Sequence, residues 1–189
     1  MYTRFFLILA FAYLYGFFEF YMNVRLTKKS SIVKSSDKGS IRFLFTLIQI
    51  GCLFSFGVGA TNTGKIDDWN TFIIIGAILI LLGFIIRISS IMTLKRQYTY
   101  TVTRVENHAL IESGLYKFIR HPGYLGLLII FLGISTALSN WLSVILMIVP
   151  LFIGIMYRIR VEESFLIGQM GQNYTEYQKR TKRLVPMIF

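Results

Sequence analysis

Long apolar runs recur along this chain, and they limit its possible folds more than any other feature. The 189 residues are 54% hydrophobic with a mean hydropathy of +0.60, which is more apolar content than a soluble domain of this length needs. Several runs approach or exceed the roughly 20 residues that cross a bilayer. We therefore predict an all-α integral membrane protein with about five transmembrane helices, at residues 5–24, 41–60, 71–94, 124–138 and 141–157.

Basic residues are concentrated in the segments between these runs. The net charge of +11 could indicate nucleic-acid binding, but in a membrane protein such an excess more often marks cytoplasmic loops. The loop after the first run holds a cluster of lysines and arginines against one acid, Asp37. We therefore place this loop in the cytoplasm and the N-terminus outside, and five crossings then put the C-terminus in the cytoplasm.

The sequence predicts neither a metal site nor an intrachain disulfide. Cys52 is the single cysteine and lies in an apolar run, so it has no partner within the chain. No cluster of cysteine and histidine has metal-ligand spacing. We expect one membrane domain over residues 1–189, with three N-terminal helices in residues 1–94 and most polar motifs in residues 95–189.

Within the predicted helices, charged and small residues mark contacts between helices. Glu19 and Arg87 would lie at similar depth in the first and third helices, and charges within a membrane usually pair or line a polar cavity. We predict a Glu19–Arg87 ion pair; the alternative is that Arg87 reaches the lipid headgroups alone. In the second helix Gly51, Ser55 and Gly59 recur every fourth residue, a spacing that lets helix backbones approach closely.

A basic segment meets an apolar one in residues 114–126, where Arg120 and His121 directly precede Pro122. Proline suits the first turn of a helix and keeps the preceding residue out of the helical region. We therefore predict a helix that begins at Pro122 and holds His121 at its mouth. Because the free N–H groups of a helix N-terminus attract anions, this position suits a charged small molecule.

Two local patterns predict irregular structure between the helices. Residues 98–105 alternate bulky and polar side chains, which is typical of a strand. Since a lone strand cannot stand unsupported, we expect an extended loop or a small hairpin there. Further along, Gly168 and Gly171 are expected to break up the continuation of the fifth helix.

The polar residues of the second half fall into two clusters, at residues 108–124 and 158–183. A short turn at residues 139–140 makes the fourth and fifth helices neighbours. Their other ends must then also be close, so the two clusters meet. Taken singly, the tyrosines fit an interfacial aromatic belt and His121 fits a helix cap. Taken together, the two clusters favour a binding site.

Charges on the fifth helix have helical spacing. Arg158 and Glu162 are four residues apart, and Arg160 and Glu163 are three apart, so each pair shares one face. The simpler interpretation of both pairs is a surface ion pair of small energetic value.

The order and spacing of these motifs resemble the isoprenylcysteine carboxyl methyltransferase family, and more broadly the small membrane methyltransferases that include phospholipid N-methyltransferases. The resemblance covers roughly residues 105–186, and Leu115 stands where the family usually has proline. The matching residues are His108 and Leu110; Gly114 and Tyr116; Arg120, His121, Pro122, Tyr124, Leu125 and Gly126; Glu162, Glu163 and Leu166; Gly171, Tyr174 and Tyr177; and Pro186.

The resemblance implies a methyltransferase that uses S-adenosylmethionine and releases S-adenosylhomocysteine. It places a methyltransferase-like, cofactor-binding core in residues 95–189, a cofactor pocket on the cytoplasmic side, and a lipophilic or lipidated substrate that enters from the bilayer. Its cofactor-binding residues would be His108, Leu110, Gly114, Tyr116, Arg120, His121, Pro122, Tyr124, Gly126, Glu163, Tyr174 and Tyr177. Its catalytic residues would be Arg158 and Glu162.

On this interpretation Arg120 and His121 suit the carboxylate of the cofactor, and Glu162 or Glu163 its ammonium or a ribose hydroxyl. Tyr116 and Tyr124 would pack the adenine. Arg158, oriented by Glu162, would grip an acceptor carboxylate, whereas an amine acceptor would require Glu162 to take a proton.

Several acceptors and two other functions stay open on the sequence. A prenylated cysteine, a phospholipid amine, an isoprenoid acid and a small thiol are all compatible with the motifs, since the resemblance does not reach the N-terminal half. NADPH-dependent sterol-type membrane reductases have a similar Arg-His-Pro hairpin. A non-catalytic protein whose basic ends bind anionic lipid is the third possibility.

Overall fold

Six helices and a small antiparallel sheet make up the described part of the chain. The computed structural model describes residues 2–29, 32–35, 37–94, 103–105 and 110–185. Each of the five predicted spans falls on a helix, which confirms the helical prediction. The elements in chain order are α1 (Tyr2–Lys29), β1 (Ile32–Ser35), α2 (Ser40–Gly59), α3 (Trp69–Leu94), β2 (Thr103–Val105), a short 3₁₀ helix (Gly114–Lys117), α4 (Pro122–Ala137), α5 (Trp141–Met170) and α6 (Gln172–Arg180).

Four helices, α1, α2, α3 and α5, are long and apolar enough to cross a membrane, and α4 is a shorter apolar helix of 16 residues. Large apolar side chains on these helices are exposed, among them Phe17 at 68%, Leu53 at 70% and Leu81 at 61%. So much exposed apolar surface belongs against lipid. The chain is therefore a multi-pass integral membrane protein.

Glycines bring the backbones of α3 and α4 into contact. Gly76 of α3 faces Gly133 of α4, and Gly83 faces Gly126 in the same way. A Cβ atom on any of the four would come within 2.6–2.8 Å of the partner's backbone oxygen, so a larger residue would push the helices apart. Gly126, predicted to bind a cofactor, thus serves this helix contact.

The predicted stripe of small residues on α2 packs against α5. A Cβ atom on Gly51 would lie 3.3 Å from the carbonyl oxygens of Leu146 and Met147. The Ser143 hydroxyl of α5 donates to the Ser55 carbonyl at 2.8 Å. The close helix approach predicted from small residues at every fourth position is therefore confirmed.

The turn between α4 and α5 is fixed by the loop between α2 and α3. The Ser139 hydroxyl donates to the Ile66 carbonyl at 2.8 Å, and the Asn140 side-chain amide donates to the Thr63 carbonyl at 2.7 Å. The Asn140 side chain also caps α5 by accepting from the Ser143 N–H at 3.0 Å. These contacts confirm the predicted helical hairpin of α4 and α5. The opposite end of the bundle, where Pro122 lies, is called the site end below.

The structure differs from the sequence predictions at β2 and near the end of α5. The strand-like stretch forms β2, but its partner β1 comes from the α1–α2 loop, with Ser35 opposite Thr103; residues 98–102 lie outside the described residues. Gly168 lies inside α5 and does not break it. The helix ends one turn later at Gly171, whose φ of +56° favours glycine.

Candidate active site

The start of α4 holds His121 in place. His121 has a φ of −126° and a ψ of 55°, outside the helical region, and its carbonyl oxygen accepts from the N–H groups of Tyr124 and Leu125 at 3.1 and 3.2 Å. The helix begins at Pro122, as predicted. Pro122 is buried and stops the backbone from continuing the helix backwards.

A C-terminal strap (Thr181–Val185) pairs with the backbone that leads into α4. The Arg120 N–H donates to the Lys182 carbonyl at 2.7 Å, and the His121 N–H donates to the Arg183 carbonyl at 3.0 Å. His121 is therefore fixed from two directions, by the first turn of α4 and by the strap.

Glu163 of α5 joins the strap to this turn. Its carboxylate accepts from Arg120 Nε at 2.8 Å and from Arg183 Nη2 at 2.9 Å, and it lies 3.4 Å from His121 Nε2. The predicted pairing of Arg160 with Glu163 is wrong, because Arg160 is exposed and these three groups surround the carboxylate instead. Arg120 is also anchored, since its Nη1 donates to backbone carbonyls at the end of α6.

Arg158 occupies a buried polar corner between α5, α4 and the start of α2. Its Nη1 contacts the Asp37 carboxylate and the Ser40 hydroxyl, and its Nε donates to the Tyr124 hydroxyl at 3.0 Å. The Tyr124 hydroxyl in turn donates to Glu162 at 2.8 Å. Tyr124 thus lies between the two residues predicted to form a helical pair.

Asp37 was missed as a site residue in the sequence analysis. It accepts the Ile41 N–H at 3.2 Å and the Ser40 hydroxyl at 3.1 Å in the first turn of α2, and it also contacts Arg158. The available signal was an acid three residues before the first residue of α2, where a carboxylate suits the free N–H groups of a helix N-terminus. That signal predicts a contact with the start of α2, but nothing local predicts the arginine from α5.

Glu19 and Arg87 form the ion pair predicted between α1 and α3. Arg87 donates to both carboxylate oxygens of Glu19, at 3.0 and 2.8 Å, and its Nη1 donates to the Gly123 carbonyl at 2.9 Å. The Tyr15 hydroxyl donates to the same carboxylate at 2.6 Å. The pair therefore ties α1 and α3 to the first turn of α4, next to His121.

Tyrosines from the 3₁₀ helix and from α6 complete the site end. The Tyr177 hydroxyl donates to the Tyr116 carbonyl at 2.6 Å, and the Tyr116 and Ser90 hydroxyls lie 2.6 Å apart. Burial raises the pKa of Tyr177 to about 12 and also raises the pKa of Tyr174. Both phenols therefore stay protonated at neutral pH, and that of Tyr177 acts as a hydrogen-bond donor.

One large cavity of about 1390 Å³ joins these groups. Nine predicted site residues line it, so the two sequence clusters do meet. The nine are Leu110, Tyr116, Arg120, His121, Tyr124, Arg158, Glu162, Tyr174 and Tyr177. Glu19 and Arg87 line it too.

Four predicted cofactor-binding residues lie outside the cavity lining: Gly114, Pro122, Gly126 and Glu163. The two glycines and the proline shape the backbone, and Gly114 has a φ of +60° at the start of the 3₁₀ helix. Glu163 lies behind the cavity wall and pairs with Arg120 and Arg183. His108 and Pro186 fall outside the described residues.

An apolar arm of the same cavity extends from the site end between α1 and α2. Its walls include Leu9, Gly16, Ile48, Cys52 and Phe56. Other lining residues are themselves widely exposed, with Tyr13 at 73%, Phe17 at 68% and Leu53 at 70%. The arm therefore opens sideways to the bilayer.

The fold and the site define a multi-pass helical membrane protein with a large cavity that is polar at one end and open to lipid along its other part. The chain belongs to the phospholipid methyltransferase family, whose model matches residues 71–173. This range contains nearly all of α3, the whole of α4 and α5 and the beginning of α6, which contribute Arg87, Tyr124, Arg158 and Glu162 to the cavity lining.

Known proteins similar to this chain include two protein-S-isoprenylcysteine O-methyltransferases. The B enzyme of Arabidopsis thaliana is 36% identical over 115 residues, which are 60% of this chain and 58% of the relative's length. The enzyme of Schizosaccharomyces pombe is 27% identical over 197 residues, covering 95% of this chain and 82% of the relative. These similarities confirm the resemblance drawn from the motifs.

A solved structure shares the fold. It is that of a eukaryotic intramembrane Ras methyltransferase (isoprenylcysteine carboxyl methyltransferase), with a TM-score of 0.59 and 24% sequence identity. The matched region covers 79% of this chain and 51% of that protein. The chain thus spans little more than half the length of this structure and of the Arabidopsis relative.

Proposed function

We propose that this protein is a membrane methyltransferase that transfers a methyl group from S-adenosylmethionine to the carboxylate of a lipophilic acceptor of the isoprenylcysteine type. The observation that carries the proposal is the single cavity, which joins a polar pocket to an apolar arm open to the bilayer. Pockets for one small ligand are typically about 300–1,000 Å³. A cavity of about 1390 Å³ has room for a cofactor and an acceptor together.

The polar end has groups that fit S-adenosylmethionine. The His121 imidazole, beside the N-terminus of α4, suits the cofactor carboxylate. Glu162 lines the cavity and accepts from Tyr124, which suits the ammonium or a ribose hydroxyl. The rings of Tyr116 and Tyr174 offer flat apolar surface for the adenine. When bound, this cofactor supplies a methyl group on a positively charged sulfur.

In this proposal Arg120 and Glu163 are positioning residues. Both are tied to the strap and to His121, and Glu163 does not line the cavity. Their ion pairs hold the imidazole and the backbone that borders the cofactor pocket. We therefore reassign Glu163 from cofactor ligand to positioning residue.

The acceptor carboxylate would lie where the apolar arm meets the polar end. Arg158 and Arg87 both line the cavity there and are 2% and 5% exposed. Arg158 is pinned by Asp37 and Tyr124, so its guanidinium can meet an anion with little loss of side-chain freedom. A lipophilic tail would remain in the arm and bring its head group to these residues.

Methyl transfer to a carboxylate acceptor does not require a general base. A carboxylate is already ionised at neutral pH, so no proton has to be removed before it attacks. The residues around it would orient its oxygen toward the methyl group and exclude water, which are contributions of proximity and desolvation. The buried network from Asp37 through Arg158 and Tyr124 to Glu162 suits this role, because it leaves few rotamers free.

A lipophilic amine acceptor is the second candidate, and the position of Glu162 favours it. A protonated amine must lose a proton, and Glu162 is a carboxylate on the cavity wall that can take it. The match to the phospholipid methyltransferase model agrees with such a substrate. The relatives are named as methyltransferases. This favours a methyltransferase, with either acceptor, over an NADPH-dependent reductase.

We also propose that the site end faces the cytoplasm, with five crossings and the N-terminus outside. Exposed lysines and an arginine gather at this end, among them Lys117, Lys179, Arg180 and Lys182, whereas the loop at the opposite end carries Asp67 and Asp68. This asymmetry follows the positive-inside rule. The packing of α3 on α4 and of α2 on α5 supports a single domain over both halves of the chain.

Isothermal titration of the detergent-purified protein with S-adenosylhomocysteine tests the cofactor proposal. We expect micromolar binding by the wild type and a loss of at least tenfold in His121→Ala and in Glu162→Gln, since each loses a polar contact to a charged ligand. Glu176→Gln on the exposed face of α6 is the matched control and should bind within twofold of the wild type.

Transfer of a radiolabelled methyl group then separates the acceptors. Labelled S-adenosylmethionine is incubated with N-acetyl-S-farnesyl-cysteine or with phosphatidylethanolamine in vesicles. Label in the first supports the carboxylate acceptor, and label in the second alone supports the amine. Absence of cofactor binding by well-folded wild type, together with binding of NADPH, would overturn the methyltransferase proposal.

A further inference from the structure

We infer that the groove between α2 and α5 on the outside of the bundle binds an anionic phospholipid, with Lys38 and Arg160 on its headgroup phosphate. Neither residue lines the cavity, and the methyl-transfer proposal uses neither. The inference therefore does not depend on the proposed function. Its occupant is a lipid of the surrounding leaflet, held by charge and by apolar contact, and not a substrate.

The contacts between α2 and α5 fix which residues face one another along the groove. A Cβ atom on Gly51 of α2 would lie 3.3 Å from the Met147 carbonyl oxygen of α5, and one on Gly154 of α5 would lie 3.3 Å from the Leu44 Cα atom of α2. The two helices therefore run antiparallel. Toward the site end, residue numbers fall on α2 and rise on α5.

An aromatic pair marks the place where the groove leaves the membrane core. The rings of Phe43 and Tyr157 meet edge to face, with centroids 5.1 Å apart, and the two residues are 42% and 40% exposed. The 20 residues of α2 span about 30 Å, which is roughly the thickness of the hydrocarbon core. Phe43, in the first turn of α2, therefore lies near the boundary of the core, where aromatic side chains are enriched.

Two cations lie just beyond the aromatic pair. Lys38 precedes α2 by two residues, in a turn held to α5 by the contact between the Ser40 hydroxyl and Arg158. Arg160 is two residues past Arg158 and three past Tyr157, so it shares the exposed face of that ring. At 1.5 Å per residue Arg160 is about 4.5 Å further out than Tyr157, which is the depth of the lipid headgroups.

Both cations are available to a ligand. Lys38 and Arg160 are exposed, and neither forms an ion pair with another residue that the structure describes. The nearby Asp37 carboxylate contacts Arg158 instead. Unpaired cations at one end of a groove attract a negatively charged group, and the planar guanidinium of arginine matches the geometry of a phosphate.

Apolar side chains continue the groove into the membrane below the cations. On α5, Ile153 and Val149 lie four and eight residues before Tyr157, and both are 52% exposed. On α2, Ile50 lies seven residues after Phe43 and is 40% exposed. This spacing puts them on the faces of the aromatic pair. The strip suits acyl chains, whereas an acidic protein segment in water would meet the cations alone. Charge and strip together therefore specify a phospholipid.

A bound phosphate would join two distant segments of the chain. Lys38 belongs to the turn before α2, and Arg160 belongs to α5. The lipid would hold this turn against α5 beside the contact between Asp37 and Arg158. Because the lipid binds this folded arrangement and not the unfolded chain, it should raise the melting temperature.

Native mass spectrometry of the detergent-purified protein measures the binding. The protein is titrated with dioleoyl phosphatidylglycerol, which is anionic, or with dioleoyl phosphatidylcholine, which has the same tails and phosphate but no net charge. The test variant is Lys38→Gln/Arg160→Gln. The matched control is Lys117→Gln/Lys179→Gln, which removes two exposed cations at the same end of the protein, on the 3₁₀ helix and α6.

We expect the wild type to bind phosphatidylglycerol at least about fivefold more tightly than phosphatidylcholine, since each cation near the membrane surface contributes roughly a fivefold factor. The test variant should lose at least about tenfold in phosphatidylglycerol affinity, and the control should stay within about twofold. Equal losses in the two double variants would show general surface attraction and overturn the inference. So would equal affinities of the wild type for the two lipids.

Melting temperatures supply a second measurement and check the fold of the variants. Without phospholipid, the test variant should melt within about 2 °C of the wild type. Phosphatidylglycerol at ten times its Kd should raise the wild-type Tm by about 3–6 °C and leave that of the test variant nearly unchanged. If the test variant melts lower without lipid, Arg160→Gln alone replaces it and should lose about fivefold in affinity.

Glycerol 3-phosphate distinguishes a lipid site from a site for a soluble anion. It carries the phosphate without the tails and should leave the wild-type Tm unchanged. A rise equal to that with phosphatidylglycerol would overturn the assignment to a lipid. None of these measurements involves methyl transfer, so their failure leaves the proposed function standing, and failure of the proposed function leaves them valid.

Discussion

The buried pair of Glu19 and Arg87 gives the sharpest test of the packing that supports the site. The side chains are 7% and 6% exposed, and the carboxylate and guanidinium meet at 2.8 Å. Replacing Glu19 by Leu would leave the Arg87 charge within the membrane without this partner. Breaking such a pair typically costs about 3–5 kcal/mol of unfolding free energy. Replacing Arg87 by Met should cost a similar amount, since Glu19 then keeps its charge and loses two donors.

The double variant Glu19→Leu/Arg87→Met should lose much less than the sum. Neither charge remains, and the apolar side chains match a membrane interior. The remaining cost comes from the Gly123 carbonyl, which loses the Arg87 donor, and from the Tyr15 hydroxyl, which loses the Glu19 acceptor, at about 1–3 kcal/mol for each group. We therefore expect a coupling energy of at least about 2 kcal/mol between the two positions.

Unfolding free energies in mixed detergent micelles measure this cycle. Arg160→Met, at an exposed arginine of α5, serves as the control and should change stability by less than about 0.5 kcal/mol. Additive losses within about 0.5 kcal/mol would refute the pair. So would a charge-reversed variant, Glu19→Arg/Arg87→Glu, that recovers none of the stability lost in the single variants.

Three further outcomes follow from the contacts. Gly126→Ala should destabilise the protein by about 1–3 kcal/mol in the same assay, because its Cβ atom would lie 2.8 Å from backbone atoms of α3, whereas Gly168→Ala should have no cost. Arg183→Gln should weaken S-adenosylhomocysteine binding about three- to tenfold by titration, since Glu163 loses one of the ions that fix the strap; unchanged affinity would argue against a positioning role. Asp37→Asn removes the charge that holds Arg158, so the acceptor KM should rise about tenfold while cofactor affinity stays within twofold; equal losses of both would contradict the separate acceptor role.

Much of the helical framework follows from local signals. The apolar runs fix where α1, α2 and α3 lie, and Pro122 fixes the start of α4, because span length and proline geometry depend on adjacent residues alone. The end of α5 was harder to predict. Beyond residue 157 polar and charged side chains alternate with apolar ones, and residues such as Glu163 find partners on other elements.

The part of the candidate site that the α4–α5 hairpin brings together was predictable from the sequence. The short turn between α4 and α5 places His121 and Tyr124 near Arg158 and Glu162, and all four line the cavity. Partners from outside the hairpin were not predictable. Asp37 reaches Arg158 across 121 positions of sequence, and no local pattern encodes such a separation.

By itself, the sequence determined the class of this protein: a multi-pass helical membrane protein, a charged pair at matching depth, and a set of polar motifs at one end of a hairpin. Hydropathy, proline and turn chemistry act over a few residues, so they can be read without a structure. The tertiary structure alone decided which cations surround Glu163: they are Arg120 and Arg183, and Arg160 stays exposed. It also decided that the gap between α1 and α2 becomes an arm of the site, because a cavity exists only where two distant helices fail to fill the space between them.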